Sequence, residues 1–560
     1  MLFPDGPIDF GYARRRLHDM FAPPVIISDP PKGVRFEKDV PVKMRDGTIL
    51  RVNVFRPETE GRYPVIMSAH PYGKDAFPKR TRSGYRPPLQ YHLMRQPAAV
   101  RFSAWTTWEA PDPAFWVPRG YVVINCDLRG FGSSEGQGNL LTEAEGLDYH
   151  DLIEWAAIQP FSTGKIGLCG VSYLAISQWR VAATQPPHLA AICPWEGFTD
   201  AYRDLVYPGG IREDGFFVMW SKSVKRSGRY PVELRKEQLA RPLRDAFWQS
   251  LAPDLSAITV PALICGSFSD HNLHSGGSFE GFRRISSREK WLYTHGTGKW
   301  VAFYSEEGLA FQARFFDCFL KGEENGMRSV PPVRLEVRAS GSQVHSVRSE
   351  TSWPPAQTDH VALHLRRDGT MGQDPEANEG LLSYSAKNGS LRFRYRTARA
   401  TEIVGPLKLS LCASVEGATD ACLFAGLRKL DSQGQEVHFE GSYGMGKDVA
   451  SHGFLRLSHR ELDPEASTNI RPVHRHLRAQ PLSAGEVVSI EMELLPTAIW
   501  LTKGESIELV VQGHWLHPTN PIFGGAAAYE SIPQGTVTIH LGPDHPATLL
   551  VPMLGGSATQ

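Results

Sequence analysis

The stretch Lys165-Ile166-Gly167-Leu168-Cys169-Gly170-Val171-Ser172-Tyr173-Leu174-Ala175 reads as an apolar strand that ends in Gly-x-Ser and passes at once into a helix. That layout suits a serine nucleophile. A sharp strand-to-helix turn holds the serine in a strained backbone conformation with Oγ exposed, and small neighbours make room for it. The amide of the next residue and the helix N-terminus then face the anion that develops when the serine attacks an ester or amide carbonyl. A bare Gly-x-Ser is common, and Leu174 stands at the fifth position of the usual Gly-x-Ser-x-Gly. A buried polar turn is the bland alternative.

A nucleophilic serine is served by an acid and then a base further along the chain. Residues 261–266 form an apolar strand, and Asp270 lies in the loop beyond its carboxyl end. Residues 290–294 form another strand, and His295 follows it directly. One helix, over residues 278–285, fills the interval, as a parallel crossover requires. The two side chains are therefore expected at the sheet edge where Ser172 emerges. His295 would take the serine proton, and Asp270 would fix its tautomer and stabilise the imidazolium. His271 and His274, both close to Asp270, are rivals for the base.

The elements that must position these groups form an alternating pattern. Residues 35–57 contain two strands joined by Asp46-Gly47, a strong hairpin signal. Apolar strands follow at 64–68, 121–127, 165–169, 190–193, 262–265 and 291–294, with helical spacing at 147–157 and 173–184. Strands buried on both faces, with helices between them, imply a doubly wound α/β sheet. Two segments interrupt it. Residues 76–118 are rich in Arg, Pro and aromatics, including Trp105, Trp108, Phe115 and Trp116, and are expected to help shape an apolar pocket. Residues 198–253 read as a helical cap inserted between sheet strands. The division is thus an α/β part over 1–197, the cap over 198–253, the rest of the α/β domain over 254–325, and an all-β region over 331–560. In that last region short alternating strands at 333–337, 361–365, 407–411, 506–510 and 536–540 suggest a β-sandwich of jelly-roll type.

Composition narrows the partners. A chain of 560 residues exceeds one core, and two or three domains are expected. Lys+Arg and Asp+Glu both number 60, so no net field draws the protein to nucleic acid or an anionic membrane. No apolar run reaches a spanning length, and the start lacks the apolar core of a secretory signal. Seven scattered cysteines without a CxxC pair read as reduced core thiols, consistent with a cytoplasmic setting. No metal or cofactor signature stands out. A homo-oligomer is compatible with the sequence.

Several motifs together resemble the serine hydrolases related to cocaine esterase, X-Pro dipeptidyl-peptidase, α-amino acid ester hydrolase and glutaryl acylase. They are Arg45-Asp46-Gly47-Thr48, His70-Pro71-Tyr72-Gly73-Lys74, Asp127-Leu128-Arg129-Gly130-Phe131-Gly132-Ser133-Ser134-Glu135-Gly136, Gly170-Val171-Ser172-Tyr173-Leu174, and Phe315-Phe316-Asp317 with Leu320-Lys321-Gly322. The resemblance implies an α/β-hydrolase domain, a helical cap, a C-terminal jelly roll and no metal or organic cofactor. It also implies that the Tyr72 hydroxyl and the Tyr173 amide form the oxyanion hole. The chain departs from the family pattern in three places. Ala175 stands where many members have glycine. The histidine occurs in Thr294-His295-Gly296-Thr297-Gly298-Lys299-Trp300 rather than Gly-Pro-Trp-x-His. Asp270 is followed by His271-Asn272-Leu273, with no further carboxylate for a free α-ammonium.

The resulting expectation is hydrolysis of a small-molecule ester or amide through an acyl-enzyme. The first alternative is acyl transfer to an amine or alcohol by the same nucleophile. The second is a non-catalytic binding protein whose jelly roll carries the ligand site, with His514 and Trp515 as its weak candidates.

Overall fold

The Asp46-Gly47 turn closes a hairpin between β1 (Val34–Lys43) and β2 (Ile49–Pro57). Gly47 takes φ 90°, and the Asp46 carboxylate accepts the Thr48 amide at 3.0 Å. Glycine and a short acid are what such a turn needs. The computed structural model describes residues 10–341, 343–519 and 525–555.

From β2 the sheet continues antiparallel to β4 (Val122–Asp127) and then in parallel. The parallel members are β3 (Tyr63–His70), β5 (Ser162–Val171), β6 (Leu189–Trp195), β7 (Ala262–Ser267) and β8 (Lys290–His295). Their spatial order is β1-β2-β4-β3-β5-β6-β7-β8. Alternate residues of the strands feed two separate cores. Val122, Ile124, Leu168 and Ile264 enter one, whereas Val123, Cys169, Cys193 and Cys265 enter the other. A two-residue period with apolar groups on both faces is what a covered parallel sheet demands. Helices α1 (Glu143–Ala157) and α2 (Tyr173–Ala182) cover the first face.

The aromatics of the 76–118 segment cover the second face. Trp105 packs on Phe36 and Phe55, Trp108 on Tyr91 and Trp300, and Trp116 on Tyr121 and Phe316. Trp108 and Trp116 are buried in this core and Trp105 and Phe115 pack half-buried against it, so the segment chiefly covers the sheet's second face, where it was expected to shape a pocket. Between β6 and β7 lie α3 (Phe216–Ser227), α4 (Leu234–Ala240) and α5 (Ala246–Ser250), short helices lodged beside the sheet's carboxyl edge. The break after α4 falls at Arg241-Pro242, where proline ends the helical run.

Further on, α6 (Ser275–Arg284) links β7 to β8, and α7 (Lys299–Phe303) follows β8. Next, β9 (Val333–Ser340) pairs with β8 and touches β13 (Val488–Leu501) at Arg338↔Ile499, which joins the sheet to a C-terminal β-sandwich. One layer of the sandwich pairs β10 (Thr401–Glu416) with β13. The other holds β11 (Cys422–Leu430), β12 (Ser451–Arg456) and β14 (Ser506–Gln512). Their inner faces meet in one core that includes Leu409, Leu411, Leu427, Ile490 and Leu509. Arg338, 1% exposed, donates to the Phe268 carbonyl of the α/β domain and to Thr497 of the sandwich, tying the two together. Among the described residues, no helix is long and apolar enough to cross a membrane.

Candidate active site

Ser172 sits between β5 and α2 with φ 58° and ψ −116°, backbone angles that a non-glycine residue adopts only at a cost. Its amide donates to the Trp195 carbonyl on β6 at 3.1 Å, and the preceding Val171 amide donates to the Glu109 carbonyl at 3.1 Å. Two glycines permit the turn. A Cβ on Gly170 would lie 2.5 Å from that of Leu174, and one on Gly197 would lie 2.8 Å from that of Ala175. The chain's departures at 174 and 175 are thus accommodated by glycines elsewhere. Tyr173, the first residue of α2, has an amide with no helical acceptor. Its hydroxyl is occupied, donating to Glu145 at 2.6 Å.

Tyr72 follows β3 and is half-buried. Its amide donates to His70 Nδ1 at 3.2 Å, and its ring meets Tyr173 edge-on with centroids 6.3 Å apart. Trp220 of α3 donates its indole N–H to the Tyr72 hydroxyl at 3.4 Å. Burial, then the Glu109 charge, hold the phenol well above its ordinary range, so it remains a proton donor.

The imidazole at the serine is His274. Its Nε2 lies 3.0 Å from Ser172 Oγ. It caps the start of α6, four residues after Asp270, whose carbonyl accepts the amides of Leu273, His274 and Ser275. The Phe198 amide donates to His274 Nδ1 at 3.2 Å, and the ring stacks on Phe198. Because Nδ1 accepts, the proton of the neutral ring resides on Nε2. His274 therefore donates to Ser172 Oγ. Burial first, then the Lys299 charge, lower its pKa well below the ordinary value and keep the ring neutral.

His295 does not occupy the place expected for it. Its Nε2 donates to Glu196 Oε1 at 2.9 Å, and both residues are sealed, at 1% and 0% exposure. It emerges at the end of β8 as foreseen, but Glu196, the residue after β6, intercepts it. Nor does the Asp270 carboxylate hold a histidine side chain. Its Oδ2 receives Lys299 Nζ at 2.6 Å, with Lys299 standing at the first position of α7. His271 donates from Nε2 to the Pro496 carbonyl. Of the expected set, then, the structure brings Ser172, Tyr72 and Tyr173 together and keeps Asp270 in a buried ion pair beside them.

Burial pushes Asp270 up to about 6 despite the neighbouring ammonium. Lys299 is disfavoured by burial, but Asp270, Glu196 and Glu109 outweigh that and hold its pKa above the ordinary value. Glu109, buried beside them, is driven up to about 8, chiefly by burial and further by Asp270 and Glu196. It is a neutral acid at pH 7. The sandwich reaches this cluster too: Ser442 Oγ accepts the Asn272 amide at 3.2 Å, and Tyr443, held at φ 62°, stacks on Phe216 of α3.

Among the described residues, one group could bring three metal-ligating atoms together. Glu196, Cys265 and His295 place them within 4.8 Å of one another. His295 Nε2 is already engaged by Glu196, and burial keeps the Cys265 thiol protonated, its pKa well above the usual value. These three read as a hydrogen-bonded pair beside a core thiol.

Comparison with known proteins identifies the family. Residues 46–238 match the X-Pro dipeptidyl-peptidase (S15 family) domain, and residues 325–550 match the X-Pro dipeptidyl-peptidase C-terminal non-catalytic domain. A CocE/NonD family hydrolase from Staphylococcus aureus superposes with a TM-score of 0.88 at 37% identity, covering 93% of this chain and 94% of that one. The chain belongs to this family. It is a serine hydrolase of the esterase and peptidase type. Cocaine esterase from Rhodococcus sp. is 24% identical over 92% of this chain and 98% of its own. An α-amino acid ester hydrolase shares the fold, with a TM-score of 0.69 at 15% identity over 99% of this chain and 100% of that one.

Proposed function

We propose that Ser172 is the nucleophile of an esterase or amidase that works through an acyl-enzyme on small neutral substrates. The observation that carries this reading is the strained Ser172 turn with His274 Nε2–H at 3.0 Å from its Oγ. Ser172 Oγ attacks the substrate carbonyl. The Tyr72 hydroxyl and the Tyr173 amide take the oxygen that becomes anionic, a role in which fixed donors act without reorganising. His274 donates to Oγ throughout. It orients the nucleophile and disperses charge as the O–H bond weakens. The leaving group departs with the Ser172 proton, the acyl group stays on Oγ, and water then repeats the attack, one of its protons returning to Oγ. Asp270 supplies the buried negative charge at the site, although Lys299 rather than a histidine is its partner. His295 is not part of the set, because Glu196 holds it.

The lining supports a substrate with an apolar acyl part. Tyr72 and Trp220 pack on Tyr173, the residue after Ser172, and Phe198 stacks on His274, which gives this part of the site an aromatic lining. Labelling with a fluorophosphonate probe tests the assignment. Wild type should be labelled at Ser172, and Ser172→Ala should show neither label nor ester hydrolysis. Equal labelling of the two proteins would remove Ser172 from the mechanism.

A further inference from the structure

We propose that Glu145 is a positioning residue of the oxyanion hole, holding the Tyr173 hydroxyl and, through that side chain, both donors. The inference rests on the reading of Ser172 as nucleophile with Tyr72 and Tyr173 as donors, and adds what keeps those donors in place.

Glu145 starts from an ordinary helix signal. Thr142-Glu143-Ala144-Glu145 has the spacing of a capping box, and the Thr142 side chain accepts the Glu145 amide at the start of α1. In that motif the acid reaches back to the amide of the cap residue itself. Here Glu145 Oε2 passes over Thr142, accepting the Leu141 amide at 2.6 Å and the Tyr173 hydroxyl at 2.6 Å. The Leu141 amide also donates to the Tyr173 oxygen at 3.2 Å, so the three groups close a triangle. Leu141 is held at φ 65°, a conformation costly for leucine, and its carbonyl accepts from Arg180 of α2 at 2.8 Å. A strained residue bonded at both its amide and its carbonyl fixes the carboxyl group between two helices. Gly146 lets those helices approach: a Cβ there would lie 2.9 Å from Arg180 Cγ. Capping accounts for the bond to Leu141. It does not account for the bond to Tyr173, which comes from another element and is equally short.

Tyr173 is the first residue of α2 and follows Ser172 directly. Its side chain is pinned at three places. Glu145 holds the hydroxyl, Trp220 stacks on the ring with centroids 6.2 Å apart, and Tyr72 meets it edge-on at 6.3 Å. The amide at the helix start is therefore tied to α1 as well as to its own helix. Tyr72 rests on the same ring, and Trp220 donates to the Tyr72 hydroxyl at 3.4 Å. Both donors thus share one support, and Glu145 is its polar anchor. Oxyanion donors act by being in place before the charge develops. A displacement of about 1 Å in such a site can cost about 100-fold in rate.

Tyr173→Phe cuts the link alone, because the ring, the amide and the Glu145–Leu141 cap all remain. The proposal expects kcat to fall about 10–100-fold with KM within about twofold of wild type. Affinity for a trifluoromethyl ketone, which forms an anionic hemiketal on a serine, should fall by the same factor as kcat/KM. Glu145→Ala should behave alike, and the double variant should be no slower than the slower single one, since Glu145 acts through the hydroxyl. Glu145→Gln, whose amide oxygen can accept both bonds, should return kcat to within about fivefold of wild type. If Glu145→Ala does not fold, Tyr173→Phe still decides, because its cap is intact. A Tyr173→Phe enzyme with kcat within about twofold of wild type would overturn the proposal. So would a loss of kcat that leaves ketone affinity unchanged, the result of a role in capping alone. Ser172→Ala separates the two claims: if it retains hydrolysis, the nucleophile is wrong, whereas loss there with full activity in Tyr173→Phe condemns the positioning role alone.

Discussion

Two buried pairs, each joining a carboxyl to a nitrogen side chain, stand at neighbouring strand ends in different surroundings. Asp270 and Lys299 come from the loop after β7 and the start of α7, and their charges act on the serine's neighbours. Glu196 and His295 come from the ends of β6 and β8 and are fully enclosed, next to the Cys265 thiol. The second pair has the residue types of a catalytic dyad, whereas the first stands beside His274, whose amide the Asp270 carbonyl accepts. A strand end fixes where a side chain leaves the sheet, but its partner is chosen by loops packed above it. Glu196, at φ 53°, turns inward to meet His295 and removes it from the serine.

The largest difference between the pairs should appear on breaking them. Asp270→Asn should lower kcat/KM by about 100–10,000-fold. It should also cost about 3–5 kcal/mol in chemical denaturation, since it leaves the Lys299 ammonium buried and unpaired. His295→Ala should cost about 1–3 kcal/mol in the same assay, with kcat/KM of the folded protein held within about tenfold. A His295→Ala enzyme that is stable yet inactive would reverse the roles assigned to the two pairs.

Tyr72→Phe removes one proposed oxyanion donor without touching either pair. A fall of about 100–1,000-fold in kcat, with KM little changed, is expected in steady-state ester hydrolysis. An unchanged kcat would mean that the Trp220–Tyr72 contact only shapes the pocket. His274→Gln is the more discriminating variant. Glutamine can accept from the Phe198 amide and donate to Ser172, as the ring does, but it cannot be a base. Activity within about tenfold of wild type is expected, whereas loss of a general base would cost about 100–10,000-fold.

The smallest effect is on the pH profile. Asp270, raised to about 6, supplies the negative charge of its ion pair with Lys299 only when ionised, so kcat/KM should fall as pH drops below about 6. Glu109, raised to about 8, is neutral at pH 7; above that range it adds a negative charge near Tyr72 and opposes the oxyanion. The profile should be bell-shaped, and Glu109→Gln should remove the alkaline limb alone. An alkaline limb that survives in Glu109→Gln would assign it to another group.

Much of the frame was legible in the sequence. The Gly-x-Ser turn, the hairpin at Asp46-Gly47 and the alternating strands follow from local periods of two and 3.6 residues, which the chain displays openly. The helical spacing after Ser172 and the apolar run before it were enough to place that serine on a strand-to-helix turn. His274 and Lys299 were harder to read. His274 lies one helical turn from Asp270, a spacing that could have promoted it, but its partner Phe198 is 76 residues away. Lys299 gives no local signal, because a lysine at a helix start is ordinarily solvated; only burial against Asp270 reveals it. The 76–118 aromatics misled for a related reason. Aromatic residues between strands serve a pocket or a core equally well, and here Trp116 and Trp108 fill the sheet's second face.

The central claim, that acyl transfer passes through Ser172, is tested most directly by rapid-quench reaction with p-nitrophenyl acetate followed by intact-mass and peptide analysis. The account predicts a burst of one p-nitrophenolate per protein and an acetyl group on the peptide that carries Ser172. Steady turnover without a burst, together with an acetyl group on any other residue, would contradict it.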